Sequence, residues 1–139
     1  MAIGTLATVF GIVFLLVGLL GFFAAPPPVG APPLTMDHGH GLALGLFPIN
    51  TLHNIVHLLF GALGLMAAGG AVMSARGYFQ FLALAYGALA ILGAIPATQT
   101  TFGLIPIYGN DIWLHALLAV AGGVIGFTNI LTPRVTARA

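Results

Sequence analysis

The chain contains no cysteine, lysine or glutamate, and charged residues make up only 4% of its 139 positions. The absence of cysteine excludes a disulfide framework, thiol chemistry and cysteine metal sites. Three arginines are too few for the basic surface that nucleic acid binding requires. Soluble domains carry about a quarter charged residues, and disordered chains are poor in hydrophobic residues, whereas this chain is 60% hydrophobic. We therefore predict an integral membrane protein of one domain, residues 1–139.

Four apolar segments are long enough to cross the hydrocarbon core, which takes about 20 residues per helix. None of them alternates apolar and polar residues as a β-barrel strand does. The first segment has no basic residues before its long apolar run, so we expect a spanning helix rather than a cleaved signal peptide. The predicted fold is an all-α protein with four transmembrane helices, at residues 5–25, 50–73, 78–95 and 112–131, and two outer loops, at residues 26–49 and 96–111.

The arginines predict the orientation of the chain. Arg76 lies between the second and third segments, Arg134 and Arg138 follow the fourth, and the two outer loops contain neither arginine nor lysine. By the positive-inside rule, both termini face the cytoplasm of a multi-pass protein in a bacterial inner or thylakoid-type membrane. Aromatic belts are expected at both interfaces, with Tyr78, Phe79 and Phe81 in the inner one and Phe22, Phe23, Phe47, Tyr108 and Trp113 in the outer one.

Two stretches of the chain resemble each other at a constant offset of 58 residues. Residues 45–57 read GLFPINTLHNIVH, and residues 103–115 read GLIPIYGNDIWLH. This similarity favours a duplication into two parallel helix-pair repeats, related by a pseudo-two-fold axis along the membrane normal. The alternative is that Gly-Leu-x-Pro-Ile is a convenient way to begin a membrane helix and occurs twice for that reason.

Polar residues in the second and fourth segments share one helix face with small ones. Asn50, His53, Asn54 and His57 have the spacing i, i+3, i+4, i+7 of a single face. Glycines on the same faces allow close helix packing and are Gly61 and Gly64 in the second segment and Gly122 and Gly126 in the fourth. The duplication places both segments at matched depth, so it predicts a polar cluster of His53, Asn54, His57, Asp111 and His115.

Two interpretations of this cluster remain open. In the first, His57 and His115 are axial ligands of a haem iron or a chlorophyll magnesium, or the group binds a metal. In the second, the cluster is a buried hydrogen-bond network in which an aspartate–histidine pair satisfies both partners. We favour the network, because the residues lie near the interface, where water weakens the presumption of a functional site. No metal and no firm cofactor is therefore assigned.

A second group of histidines lies in the first outer loop, in the sequence Asp37-His38-Gly39-His40. Histidine-rich tracts can bind metal ions. Two histidines and one aspartate on a glycine-containing loop are weak evidence for such a site, and a solvated loop is the preferred interpretation.

The polar positions carry a family resemblance. The pattern Asn54-x-x-His57-x-x-x-Gly61-x-x-Gly64, together with Asp111-x-Trp113-Leu114-His115, resembles the DUF4383 family of small four-helix bacterial membrane proteins of uncharacterised function. The resemblance covers nearly the whole chain. It implies that the asparagine, aspartate, tryptophan and two histidines of this pattern are hallmarks of the family, and it implies no substrate, cofactor or reaction.

Catalysis and transport find little support in the sequence. The single serine, Ser74, lies between the second and third segments, and no nucleophile–base set can be assembled. The segments carry no charge near the midplane, where transporters place their sites. The expected function is that of a small non-catalytic accessory subunit of a larger photosynthetic or respiratory membrane complex. Its expected partners are other membrane subunits and lipid, with no nucleic acid and no soluble substrate. The alternative is a haem- or pigment-binding membrane protein that uses His57 and His115 as axial ligands of a haem or chlorophyll, or that holds a chlorophyll or carotenoid against its apolar faces.

Overall fold

The computed structural model describes residues 2–129, which form four long helices. All four are long and apolar enough to span a membrane. An 18-residue helix is roughly 27 Å long, close to the ~30 Å hydrocarbon core. The described chain is thus a mostly helical, multi-pass membrane protein, with helices α1 (Ile3–Leu20), α2 (Thr51–Ala68), α3 (Ala75–Ala94) and α4 (Asn110–Phe127).

The helix boundaries differ from the predicted segments for local reasons. Helix α2 ends at Ala68 rather than at residue 73, because Gly69 closes it and Gly70 has a φ of 72°, a conformation that favours glycine. Helix α3 begins at Ala75 rather than at residue 78, since the Ser74 hydroxyl accepts the amide N–H of Gly77 and caps the helix. A short 3₁₀ turn, Gly21–Phe23, extends α1.

Close packing joins α1 to α2 and α3 to α4 as two antiparallel pairs. A Cβ atom at Gly11 of α1 would lie 2.9 Å from the carbonyl oxygen of Gly61 in α2. A Cβ atom at Gly122 of α4 would lie 2.9 Å from the backbone of Phe79 in α3. Backbones approach this closely only where side chains are small, which is how membrane helices associate.

Gly64 and Gly126, the other two glycines predicted to pack helices together, also lie at helix contacts. A Cβ atom at Gly126 would lie 2.7 Å from the backbone nitrogen of Gln80, again between α4 and α3. Gly64 faces α3 as well as α1, and a Cβ atom there would lie 2.8 Å from the hydroxyl oxygen of Tyr78.

Aromatic side chains fill the space between the two helix pairs. The rings of Phe10 and Phe79 meet edge to face at 5.2 Å, and those of Phe14 and Tyr86 stack at 5.6 Å. Tyr78 and Phe79 are completely buried, so their predicted place in an inner aromatic belt is wrong. They belong to the core instead, because α3 turns this face toward the other helix pair.

A compact cap covers the end of the bundle at which α2 and α4 begin, here called the loop end. The first loop contains a short antiparallel hairpin of β1 (Gly41–Ala43) and β2 (Phe47–Ile49), which the all-helical prediction missed. Leu44 and Gly45 make its turn, both with positive φ. The amide N–H groups of Thr35 and Met36 donate to the carbonyl of Gly103 at 2.9 and 3.0 Å, so the two loops are joined.

The opposite end of the bundle is fastened by an arginine. Nη1 of Arg76, in the first turn of α3, donates to the backbone carbonyls of Gly126 at 3.2 Å and Thr128 at 2.7 Å. These are carbonyls at the end of α4, which have no partner within the helix and carry its negative dipole end. Arg134 and Arg138 lie outside the described residues.

Candidate metal centre

Asn50 fixes the start of α2 and ties both loops to it. It is the N-cap rather than a member of the helix face, and its Oδ1 accepts the amide N–H of His53 at 2.8 Å. Its Nδ2 donates to the carbonyls of Met36 at 2.6 Å and Leu104 at 2.7 Å. The completely buried side chain therefore sets the position of the first turn of α2, where His53 lies.

The first two turns of α2 and α4 bring four polar side chains together: His53 and His57 from α2, and Asp111 and His115 from α4. We call them the histidine–aspartate cluster. Their exposed fractions are between 1% and 8%. The rings of His53 and His57 stack at 4.5 Å, and the His115 ring lies 6.0 Å from that of His53. Nδ1 of His53 is 3.9 Å from Oδ2 of Asp111.

None of the four side chains is fully satisfied by protein atoms. Nδ1 of His53, His57 and His115 and Oδ2 of Asp111 are buried and have no hydrogen-bond partner among residues 2–129. The 3.9 Å separation between His53 and Asp111 is too long for a hydrogen bond. A buried polar atom without a partner costs about 1–3 kcal/mol, so such atoms are rare in native proteins. Several in one place indicate a bound ligand or water.

Three members of the cluster have the arrangement of metal ligands. Candidate donor atoms of His53, Asp111 and His115 all lie within 4.8 Å of one another. Neighbouring ligands of one transition-metal ion are about 3.0–3.5 Å apart, so side-chain rotations that move the donor atoms by about 1–2 Å would be needed to complete the site. Two imidazoles and one carboxylate are a donor set that proteins use for Fe²⁺ and for Zn²⁺.

Aromatic rings of α1 and α3 pack against the cluster. The ring of Phe14 in α1 stacks on His57, with the ring centres 6.0 Å apart, and it also stacks on Tyr86 of α3 at 5.6 Å. Tyr86 in turn lies 5.0 Å from His115. Sequence reasoning missed Tyr86, although a hydroxyl in the interior of the third apolar segment was a usable signal. These rings limit the rotation of the imidazoles and separate them from lipid.

Two predicted site residues lie outside the cluster. Asn54 is buried but faces α1, where its side chain occupies the space directly over Gly21, and its Oδ1 has no hydrogen-bond partner among the described residues. Trp113 is half exposed, packs on Phe47 at 5.8 Å and donates its Nε1–H to Oδ1 of Asn110. Neither side chain contributes a donor atom to the group of three.

The loop histidines make structural contacts. Nδ1 of His38 lies 3.0 Å from the hydroxyl of Thr51, and Nε2 of His40 lies 3.0 Å from the hydroxyl of Tyr108. Burial lowers the pKa of His40, which favours the neutral ring. Burial also raises the pKa of Tyr108, so this phenol keeps its proton. These contacts hold the loops together, and each occupies one ring nitrogen of its histidine.

The space beside the cluster is small. A cavity of about 110 Å³ is bordered by His57, Asp111 and His115. Pockets for cofactor-sized ligands measure about 300–1,000 Å³, so a haem or chlorophyll macrocycle does not fit between these rings. The rings are also too deeply buried to reach a pigment on the outer surface of the helices. The haem and pigment hypothesis therefore gains no support from the described residues.

These features define a small four-helix membrane protein with a buried group of two histidines and one carboxylate. The chain belongs to the family described as a domain of unknown function, DUF4383, whose family model matches residues 5–128. The resemblance seen in the sequence is thereby confirmed, and the match includes the whole histidine–aspartate cluster. Comparisons with curated proteins and with solved structures gave no match.

Proposed function

We propose that this protein binds a divalent transition-metal ion inside the membrane, between α2 and α4, with His53, Asp111 and His115 as ligands. The observation that carries the proposal is that these three side chains are buried, that each has a polar atom with no hydrogen-bond partner among residues 2–129, and that their candidate donor atoms lie within 4.8 Å of one another. A cation among them would satisfy all three donor groups at once. It would also neutralise the carboxylate of Asp111, whose buried Oδ2 has no hydrogen-bond partner among the described residues.

The donor set indicates the kind of ion. Calcium and magnesium prefer shells made of oxygen alone, whereas imidazole nitrogen suits iron and zinc. Asp111 lies in the first turn of α4, where the helix dipole stabilises the charged carboxylate that a metal requires. His57 stacks on His53 and contributes orientation to the site rather than one of its three ligands.

A Co²⁺ titration tests this proposal, because cobalt replaces iron or zinc and its absorption bands report the ligands. The full-length protein in detergent, stripped with a chelator, is expected to develop visible Co²⁺ bands that saturate at one equivalent. Asp111→Asn should lose them. Asp37→Asn, the same change at the only other carboxylate side chain, is the matched control and should retain them. Equal weak binding by all three proteins would overturn the proposal.

We also infer that the two helix pairs arose by duplication and that both contribute ligands, His53 from the first pair and Asp111 and His115 from the second. At the offset of 58 residues, His53 corresponds to Asp111 and His57 to His115. The residues that precede both helices support this inference. Pro48 and Pro106 are both buried, and Gly45 and Gly103 both have positive φ, of 69° and 87°.

We propose that the loop end faces outward and that both termini are cytoplasmic. The supporting observation is that Arg76 lies at the opposite end from two loops that contain no lysine or arginine. Because the chain has no cysteine, single cysteines report sidedness cleanly. A membrane-impermeant maleimide should label Asp37→Cys in intact cells and should not label Ser74→Cys until the membrane is opened. The reverse pattern would overturn the orientation.

The role of accessory subunit remains a proposal of lower rank. Apolar residues such as Val13 and Leu16 of α1 are about half exposed, and lipid covers such a face as well as a partner subunit does. Co-purification from native membranes after gentle solubilisation shows whether a partner subunit or lipid covers this face. Migration as a free monomer under those conditions would remove the subunit proposal and leave the metal proposal intact.

A further inference from the structure

The cavity beside the cluster has mostly apolar walls, and some of the residues that line it are partly exposed. It lies between the end of α1, the β-hairpin and the start of α4. Apart from His57, Asp111 and His115, every residue that lines it is apolar. Val17 and Leu20 of α1 and Leu44 of the hairpin line it and remain 36%, 50% and 74% exposed. The mouth of the cavity is therefore bordered by apolar groups that face the surroundings of the bundle.

Two of the three proposed metal ligands border this cavity. Asp111 and His115 line it, whereas His53 does not. An ion held among these three groups would therefore lie beside the cavity, which His57 also lines. Three protein ligands leave coordination positions of a four- to six-coordinate ion unfilled. The cavity is the space into which such an unfilled position could point.

The size and chemistry of the cavity restrict what can occupy it. At about 110 Å³ it is smaller than a cavity of about 150 Å³ that holds benzene. Charged or strongly polar molecules would lose their hydration against apolar walls. A small uncharged molecule that partitions into hydrocarbon pays no such penalty and can enter from the bilayer. Two histidines and one carboxylate on Fe²⁺, with open positions, are also the donor set of iron proteins that react with dioxygen.

We propose that the ion is Fe²⁺ and that its open position binds a small neutral diatomic molecule of the dioxygen class, which reaches it from the lipid through this cavity. The inference rests on the proposed metal site and adds to it the identity of the ion, an exogenous ligand and an entry route. Binding alone is proposed, with no chemical change in the diatomic molecule.

Nitric oxide is the probe, because its Fe²⁺ adduct has a distinct absorption and EPR signal. The full-length protein in lipid nanodiscs is loaded anaerobically with Fe²⁺, its iron content is measured, and nitric oxide is titrated. The wild-type protein is expected to bind iron and to form the adduct. Asp111→Asn should lose both, which assigns the signal to this site.

Substitutions that fill the cavity test the entry route. Val17→Phe places a large ring in the cavity from a partly exposed position, and Leu20→Trp does so nearer the mouth. Both variants should keep their iron, and nitric oxide should associate with each of them about tenfold or more slowly than with the wild type, because an obstructed route lowers the rate of entry. Val13→Phe, on the lipid-facing side of the same helix and outside the cavity, is the matched control and should behave as the wild type.

The outcomes separate this inference from the metal site itself. Wild-type protein that holds iron without forming the adduct, or Val17→Phe and Leu20→Trp proteins that bind nitric oxide as the wild type does, would overturn the inference and leave the metal proposal standing. Protein that retains zinc in preference to iron would also overturn the inference and leave the metal proposal standing. Protein that holds neither ion would overturn both.

Discussion

Nδ1 of His53 lies 3.9 Å from Oδ2 of Asp111, between α2 and α4, and the two residues are 58 positions apart in the chain. This separation is too long for a hydrogen bond and close to the spacing of two ligands on one metal ion. The buried hydrogen-bond network that the sequence favoured is therefore not closed by direct contacts between the side chains of the cluster. A metal site and a network differ in how the stability of the protein depends on metal ions.

We expect metal ions to stabilise the protein through Asp111. At a free metal concentration one hundred times the Kd, a ligand that binds only the folded state adds about 2.7 kcal/mol to the free energy of unfolding. Metal-loaded wild-type protein should therefore unfold at a higher temperature than chelated protein. Asp111→Asn and His115→Ala should show almost no difference between the two conditions. A hydrogen-bond network predicts instead that both variants lose about 1–2 kcal/mol whether or not metal is present.

The packing of α3 on α4 predicts a contrast between two adjacent glycines. A Cβ atom at Gly122 would lie 2.9 Å from backbone atoms of Phe79 and Ala83, whereas nothing lies within 4 Å of one at Gly123. Gly122→Ala should lower the free energy of unfolding by about 1–3 kcal/mol, because the two helices must separate. Gly123→Ala should be neutral or slightly stabilising. Thermal unfolding in detergent measures both, and equal effects would contradict the close approach of the helices.

The three hydrogen bonds of Asn50 can be divided by two substitutions. Asn50→Ser keeps an oxygen that can cap α2 but loses the donors to Met36 and Leu104. Asn50→Ala loses all three bonds. We expect losses of roughly 1–2 kcal/mol for the serine variant and about 1 kcal/mol more for the alanine variant. Hydrogen exchange of the loop amides should rise in both, and unchanged loop protection would show that Asn50 does not join the loops.

Arg76 should stabilise the end of α4, in addition to its proposed role in setting the orientation of the protein. Arg76→Gln removes the charge from the carbonyls of Gly126 and Thr128, and we expect a loss of about 1 kcal/mol together with faster hydrogen exchange in the last turn of α4. Arg76→Lys keeps the charge and should lose less. Identical stability of the glutamine variant and the wild type would limit the role of this residue to topology.

The four helices and the meeting of the cluster were predictable because both depend on strong constraints. The length of an apolar segment that spans a membrane is set by the thickness of the hydrocarbon core. Polar side chains such as His53 and Asp111 cannot face lipid, so their common face and the repeat offset place them together between α2 and α4. The precise inward orientation of Asn54, toward α1, depended on the close approach of Gly21, which no pattern in the sequence expresses.

The missed features depend on contacts that hydrophobicity does not encode. Core and lipid-facing residues are equally apolar in a membrane, so Tyr78 and Phe79 could be assigned to an interface when they are in fact the centre of the core. The β-hairpin has strands of three residues, too short for an alternating pattern to appear. The sequence also could not show that the Nδ1 atoms of the three histidines lack hydrogen-bond partners within residues 2–129, which is the observation that changes a predicted network into a proposed metal centre.

The metal content of the purified full-length protein tests the central claim most directly. The protein is prepared from cells supplied with iron and zinc, washed free of loosely bound ions, and measured by mass spectrometry of the elements beside the Asp111→Asn and Asp37→Asn variants. We predict one transition-metal ion per chain in the wild type and in Asp37→Asn, and none in Asp111→Asn. Equal metal content in all three proteins, or no retained metal in any, would contradict the assignment of His53, Asp111 and His115 as metal ligands.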